Sequence, residues 1–310
     1  MPQKVVLLAD PGIDGAFAVA LAVHDPHLEV LGLAATAGNV SADQATRNVH
    51  ILIEMLDPPR WPRLGAALPA TYETDATALH GRGGLGGEDF PCAELHHPHS
   101  SDKLLGDLVR QYPKEVTVVL MGPSTVFARA LDRDPELVQM VERLVILGGT
   151  RHEAGDASAV AEFHFFLDPL SARQALRCGA PITLLPLDVT RKLIFSPSDL
   201  LNLPGAQSKA TQFLRRIAPH GIGTSAGLFG IEGVYLQDVL GIVAVAQPGL
   251  LTTKPIYVDV ETRGELTRGM TIFDTRWACA AKPNVDVAVG VDVKGVRTYI
   301  SDVLERAERA

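Results

Sequence analysis

Leu8-Ala9-Asp10-Pro11-Gly12-Ile13-Asp14-Gly15-Ala16 closes one apolar run and opens another. The run before it, Val5 to Ala9, is short and lacks polar alternation, as in a strand buried on both faces of a sheet. The run after it, Ala16 to Val23, has helix length. Between them stand two carboxylates, a proline and two glycines. In open parallel sheets ligands bind outside the carboxyl ends of the strands, so this junction is where chemistry is expected.

The pattern repeats outward from there. Val30 to Ala34, Val116 to Met121, Leu144 to Leu147 and Ile182 to Leu187 are further buried-strand runs. Helical stretches separate them. Ser41-Ala42-Asp43-Gln44 is a capping-box pattern ahead of a helix reaching Leu56. Asp168 precedes Pro169, a capping carboxylate before a residue suited to the first helical turn. Such alternation predicts an α/β fold, an open and mainly parallel sheet flanked by helices. Lys254 to Val260, Met270 to Phe273 and Val285 to Val293 read as later strands, and Val296 to Arg309 as a final helix. The glycine- and proline-rich pieces, Asp57 to Pro62 and Gly81 to Gly87, are loop-sized, so one domain over residues 1–310 is expected. His96-His97-Pro98-His99 reads as an exposed polar loop.

With 46% hydrophobic and 21% charged residues, the 310-residue chain has the means to bury a large core. Its net charge of −8 excludes a general affinity for nucleic-acid phosphates, which runs on clustered Lys and Arg. Three cysteines without a C-x-x-C pair imply a reducing compartment. The start lacks signal-peptide features, and no apolar run approaches the ~20 residues of a membrane span. A cytoplasmic protein with no membrane partner is expected.

The other strand ends are equally rich in small and oxygen-bearing residues: Ala37-Gly38-Asn39, Gly122-Pro123-Ser124-Thr125, Gly148-Gly149-Thr150 and Asp188-Val189-Thr190. Singly, each has a structural reading, with Asp-Pro-Gly as a turn, Asp14 as a helix cap and Asn39 as a turn residue. Together they resemble the nucleoside hydrolases of the inosine-uridine-preferring type, whose opening motif is D-x-D-P-G-x-D-D-A. The resemblance continues through Gly38 to Ser41, Ala45 to Asn48, His80 to Gly86, Gly122 to Thr125, Ala161 to His164 with Asp168-Pro169, Leu187 to Thr190, and Leu236-Gln237-Asp238.

That resemblance implies a Rossmann-like fold and hydrolysis of the N-glycosidic bond of ribonucleosides with the help of a calcium ion. On the matched positions, Asp10 would be metal ligand and general base. Asp238 and the backbone carbonyl of Thr125 would be further ligands. Asp14 and Asn39 would hold ribose hydroxyls, and Glu162 would reach the 5′ side of the sugar. A small riboside substrate and a homo-oligomer are implied as well.

The chain departs from the pattern at five positions. Leu8 replaces the leading Asp, Gly15 a calcium-ligating Asp, His164 an Asn that contacts ribose, and Gln237 a His, while Asp156 stands where an Asn is usual. Gly15 removes up to two oxygens from a cation that takes six to eight. Waters filling the gap, another divalent metal held by Asp10, Asp14, Asp238 and His164, or no metal all follow as options. His164 also reads as a packing or ribose-bonding residue. Gln237 cannot protonate a leaving base, and His80 is a candidate for that step. Phe229 and Tyr235 suit either a nucleobase or the core. The expected function is a divergent nucleoside hydrolase, with a silent riboside-binding homologue, scaffold or sensor as the alternative. A dinucleotide binder is excluded by the lack of G-x-G-x-x-G after the first strand.

Overall fold

Nine strands hydrogen-bond into one sheet in the computed structural model, which describes residues 2–73, 75–92, 99–277 and 281–309. Residues 96–98 of the polar tract, and Cys279, lie outside the described residues. The strands in chain order are β1 (Gln3–Ala9), β2 (Leu28–Ala35), β3 (Arg63–Gly65), β4 (Val116–Met121), β5 (Arg143–Leu147), β6 (Ile182–Leu185), β7 (Ile194–Phe195), β8 (Val234–Tyr235), β9 (Leu251–Val260), β10 (Thr271–Asp274) and β11 (Val285–Val291). Their order in the sheet is β10-β9-β11-β6-β5-β4-β1-β2-β3, with β7 and β8 forming a separate pair.

From β11 to β3 every pairing is parallel, whereas β9 runs antiparallel to both of its neighbours. The interior strands are mostly apolar because helices cover both faces. Val5, Leu7 and Ala9 pack into one layer with helices Ile13–His24, Ala42–Leu56, Lys209–Phe229 and Val239–Ala246. Val6 and Leu8 pack into the other with Ser101–Gln111, Thr125–Arg133 and Pro169–Leu176. Leu8 is therefore a core residue, with no reach to the strand end. No described helix is long and apolar enough to cross a membrane.

Three short strands escape sequence reading. Strand β3 has three residues, and β7 and β8 have two each, too few to show a period. The run from Ile182 stops as a strand at Leu185, because Pro186 turns the chain into the helical turn Leu187–Thr190. From β1 the chain moves to β2 and β3 on one side, then crosses to β4, β5 and β6 on the other. The strand order reverses between β1 and β4. This is the place in such sheets where adjoining loops part to leave a crevice.

At the opposite edge of the sheet, Tyr299 of the last helix (Val293–Ala307) donates its hydroxyl to buried Asp25 Oδ2 at 2.7 Å. Burial and the Asp25 charge both push the Tyr299 pKa upward, which keeps the hydroxyl a donor.

Candidate active site

Asp10 leaves β1 at the reversal point and is 1% exposed. Its Oδ2 accepts the Asn39 backbone N–H at 2.9 Å, and its own carbonyl accepts the Asn39 side-chain amide at 2.8 Å. Two glycines make the space. A Cβ on Gly38 would fall 1.9 Å from Asp10 Oδ2, and one on Gly122 would fall 3.0 Å from Oδ1 and 2.7 Å from the Thr36 methyl. Oδ1 is buried and has no hydrogen-bond partner. On its other side Oδ2 meets His164, whose Nε2 lies 3.2 Å away.

A cavity of about 550 Å³ opens above. It is lined by Asp14, Asn39, His80, Glu162, His164 and Asp238 among others, with Leu228, Phe229, Tyr235 and Gln237 toward one side. Asp10 lies behind Asn39 and His164. The volume is that of a small-molecule site.

The helix that carries Asp14 begins without a side-chain cap at Gly12. His80 supplies the missing acceptor, since its Nδ1 takes the Ile13 N–H at 3.1 Å. That bond leaves the ring proton on Nε2. Burial lowers the His80 pKa and so favours the neutral ring the bond needs. Asp14 is thereby freed from capping, and its Oδ2 accepts the Asp238 N–H at 3.4 Å. Burial, then the nearby charges of Asp14 and Asp10, hold the Asp238 carboxyl well above its usual range.

Glu162 caps the short helix Phe163–Leu167. Its Oε1 accepts the N–H of His164 at 2.9 Å, and its Oε2 those of Phe165 at 3.0 Å and Gly149 at 3.1 Å. The same Oε1 lies 3.2 Å from His164 Nδ1, out of line for a hydrogen bond. Burial opposes a charge on His164, but Asp10 and Glu162 outweigh it and raise the pKa to about 10. Asp156 accepts the Phe163 N–H at 2.7 Å and lies 3.8 Å from Arg191. Its burial, with the Glu162 charge, pushes its pKa up to about 6.

Thr125 stands apart from the cavity lining. Its hydroxyl donates to Asp168 Oδ2 at 2.6 Å and meets the Tyr72 hydroxyl at 3.2 Å. Tyr72 also donates to the Ala37 carbonyl, and burial raises its pKa to about 12. Neither Tyr72 nor the capping role of His80 was readable beforehand, because both act across long sequence gaps. Gln237 accepts a hydrogen bond from the Thr190 hydroxyl at 2.9 Å. Phe229 and Tyr235 pack with ring centroids 5.7 Å apart.

The donors do not fit a calcium ion. Gly15 offers no oxygen, His164 covers Asp10 Oδ2, and Glu162 is committed to backbone amides. Among the described residues no group of three or more His, Cys, Asp or Glu is arranged to hold a metal.

The sequence profile described as inosine-uridine preferring nucleoside hydrolase matches residues 5–298. The chain belongs to the inosine-uridine preferring nucleoside hydrolase family. It is 35% identical to the non-specific ribonucleoside hydrolase RihC of Escherichia coli, over 99% of this chain and 100% of that one. Uridine nucleosidase 1 of Arabidopsis thaliana is 34% identical, over 96% and 92% respectively. The solved purine-preferring ribonucleoside hydrolase of Gardnerella vaginalis superposes with a TM-score of 0.91 at 28% identity, covering 99% of this chain and 100% of that one. As a nucleoside hydrolase chain, this one keeps the family's mainly parallel sheet and sets one of its departures, His164, directly against Asp10.

Proposed function

We propose that the protein hydrolyses the N-glycosidic bond of ribonucleosides, with ribose bound near Asp14, Asn39 and Glu162 and the base toward Phe229 and Tyr235. One observation carries the reading. Asp10 is a buried carboxylate at the point of strand reversal, with one oxygen fixed by Asn39 and His164 and the other unpartnered. It sits behind a cavity of nucleoside size.

The bond breaks through an oxocarbenium-like state, so the site must activate water, steady a positive sugar and let the base go. Asp10 Oδ1 is the free acceptor for the water proton. Carboxylates of Asp14 and Glu162 facing the cavity supply the negative field for the sugar. Asn39 and Asp14 bind ribose hydroxyls, with Asp156 and His164 at the sugar's other side. Gln237, its carbonyl oxygen engaged by Thr190, has its amide N–H left to donate to the departing base. For a divalent ion other than calcium, Asp238 and the Thr125 carbonyl are the candidate donors.

The activities of these relatives weigh for hydrolysis over a silent binder or scaffold. The reading extends to one domain over residues 1–310, acting as a cytoplasmic homo-oligomer on small ribosides. The −8 charge supports the absence of a nucleic-acid partner. The test is a screen of inosine, adenosine, uridine and cytidine for release of free ribose. Turnover of at least one, lost in Asp10→Asn, is expected. Binding without release for all four would restore the silent reading.

A further inference from the structure

Two of the chain's departures, Gly15 and His164, stand at one acidic cluster, position 15 against Asp238 and the ring against Asp10 and Glu162. Gly15 lies in the first turn of the helix Ile13–His24, with an ordinary helical backbone. A Cβ there would lie 3.1 Å from Asp238 Oδ2. The backbone thus still aims position 15 at the acidic cluster, and only the side chain has gone. No conformational demand for glycine explains it.

Opposite, the His164 ring spans two carboxylates, with Nε2 3.2 Å from Asp10 Oδ2 and Nδ1 3.2 Å from Glu162 Oε1. Asp10 Oδ2 takes the Asn39 N–H, faces this ring, and leaves no room for even a Cβ at Gly38. An ion bonded to that oxygen would sit at about 2.4 Å and compete with the ring for the same space. One change removes a ligand, and the other fills the approach to a second ligand.

We propose that this site works without a divalent ion, the side chain of His164 standing against Asp10 in the cation's place. The ring steadies the carboxylate that an ion would otherwise hold. It leaves Asp10 Oδ1 as the acceptor for water. The inference deepens the hydrolase reading of the same site and rests on it for the role of Asp10. It also predicts that the two positions are coupled. A carboxylate restored at position 15 faces Asp238 with nothing to offset the pair while the ring stays in place.

The experiment reads metal and stability, with no substrate present. Protein purified without chelator is analysed for bound metals. Melting curves are then recorded with calcium, with zinc and with chelator for the parent, Gly15→Asp, His164→Asn and the double variant. The parent is expected to hold far less than one ion per chain and to melt alike in all three conditions. Gly15→Asp alone should melt lower, with no rescue by calcium. The double variant should melt higher with calcium than with chelator, by roughly 5 °C when the ion is at about a hundred times its Kd. A parent carrying about one calcium or zinc per chain, or melting lower in chelator, overturns the proposal. So does a folded double variant indifferent to calcium. Should that variant fail to fold, the parent's metal content and chelator response decide alone. A protein that hydrolyses none of the four nucleosides would defeat the functional reading and leave these measurements intact.

Discussion

His80 Nδ1 accepts the backbone N–H of Ile13 at 3.1 Å, joining residues 67 positions apart in the chain. The bond ties the glycine-rich loop that follows His80 to the helix turn that presents Asp14. His80→Ala leaves that buried N–H without an acceptor, at a cost of about 1–3 kcal/mol. Chemical denaturation of parent and variant measures it; a difference within error would remove His80 as the cap.

The same bond carries a pH dependence. His80 faces Asp14 and Asp10, which raise its pKa, and His164 and His220, which lower it, but burial dominates and the net shift is downward. A histidine with a lowered folded pKa adds stability above its unfolded value, about 6.5, and loses it as the pH falls below that. Parent stability should therefore decline from about pH 6.5 downward, more steeply than in His80→Ala. Parallel slopes in unfolding curves across that range would contradict the assignment.

Asp10→Asn should lower nucleoside turnover by at least ~10²–10⁴, the usual worth of a general base. The fold should survive, because Asp10 lies past the end of β1 and contributes nothing to the apolar layers. Steady-state kinetics with a melting curve separates lost chemistry from lost structure. Full activity in the variant would take Asp10 out of the mechanism.

Tyr299→Phe tests the far edge of the sheet. It strips Asp25 Oδ2 of its donor while Oδ1 keeps the His27 N–H at 2.8 Å. A loss of about 1–3 kcal/mol in stability is expected, with turnover at low temperature unchanged. A matching fall in turnover of the folded variant would mean that the two edges communicate.

The strands are legible because both faces of the sheet are covered, so β4 and β5 read as largely apolar runs. The gathering of Asp10, Asp14 and Asn39 is legible for another reason: all three lie in the short stretches after β1 and β2, where position in sequence and in space coincide. Contacts that span long gaps in the chain leave no such signal. Thr125 turns its hydroxyl to Asp168 and Tyr72, contacts that span 43 and 53 residues. The Ser41-to-Gln44 box is half formed, since Gln44 N–H bonds Ser41 Oγ while the Gln44 side chain reaches Asn48. Asp156 and Glu162 also spend oxygens on backbone amides of one short helix. Pattern gives residue type and spacing; lone-pair allocation is decided by the fold.

The place of Asp10 is defined as much by missing atoms as by present ones. Gly38 and Gly122 contribute no donor and no charge, and neither is placed against substrate. Each nonetheless withholds a methyl group from the volume the carboxylate occupies. A saturation library of the gene should therefore score these two positions as intolerant as the acid itself, while the aromatic rim around Phe229 drifts. Sequences that keep the acid but fill either gap would fold around a displaced carboxylate, inherit the family's outline, and lose its trade.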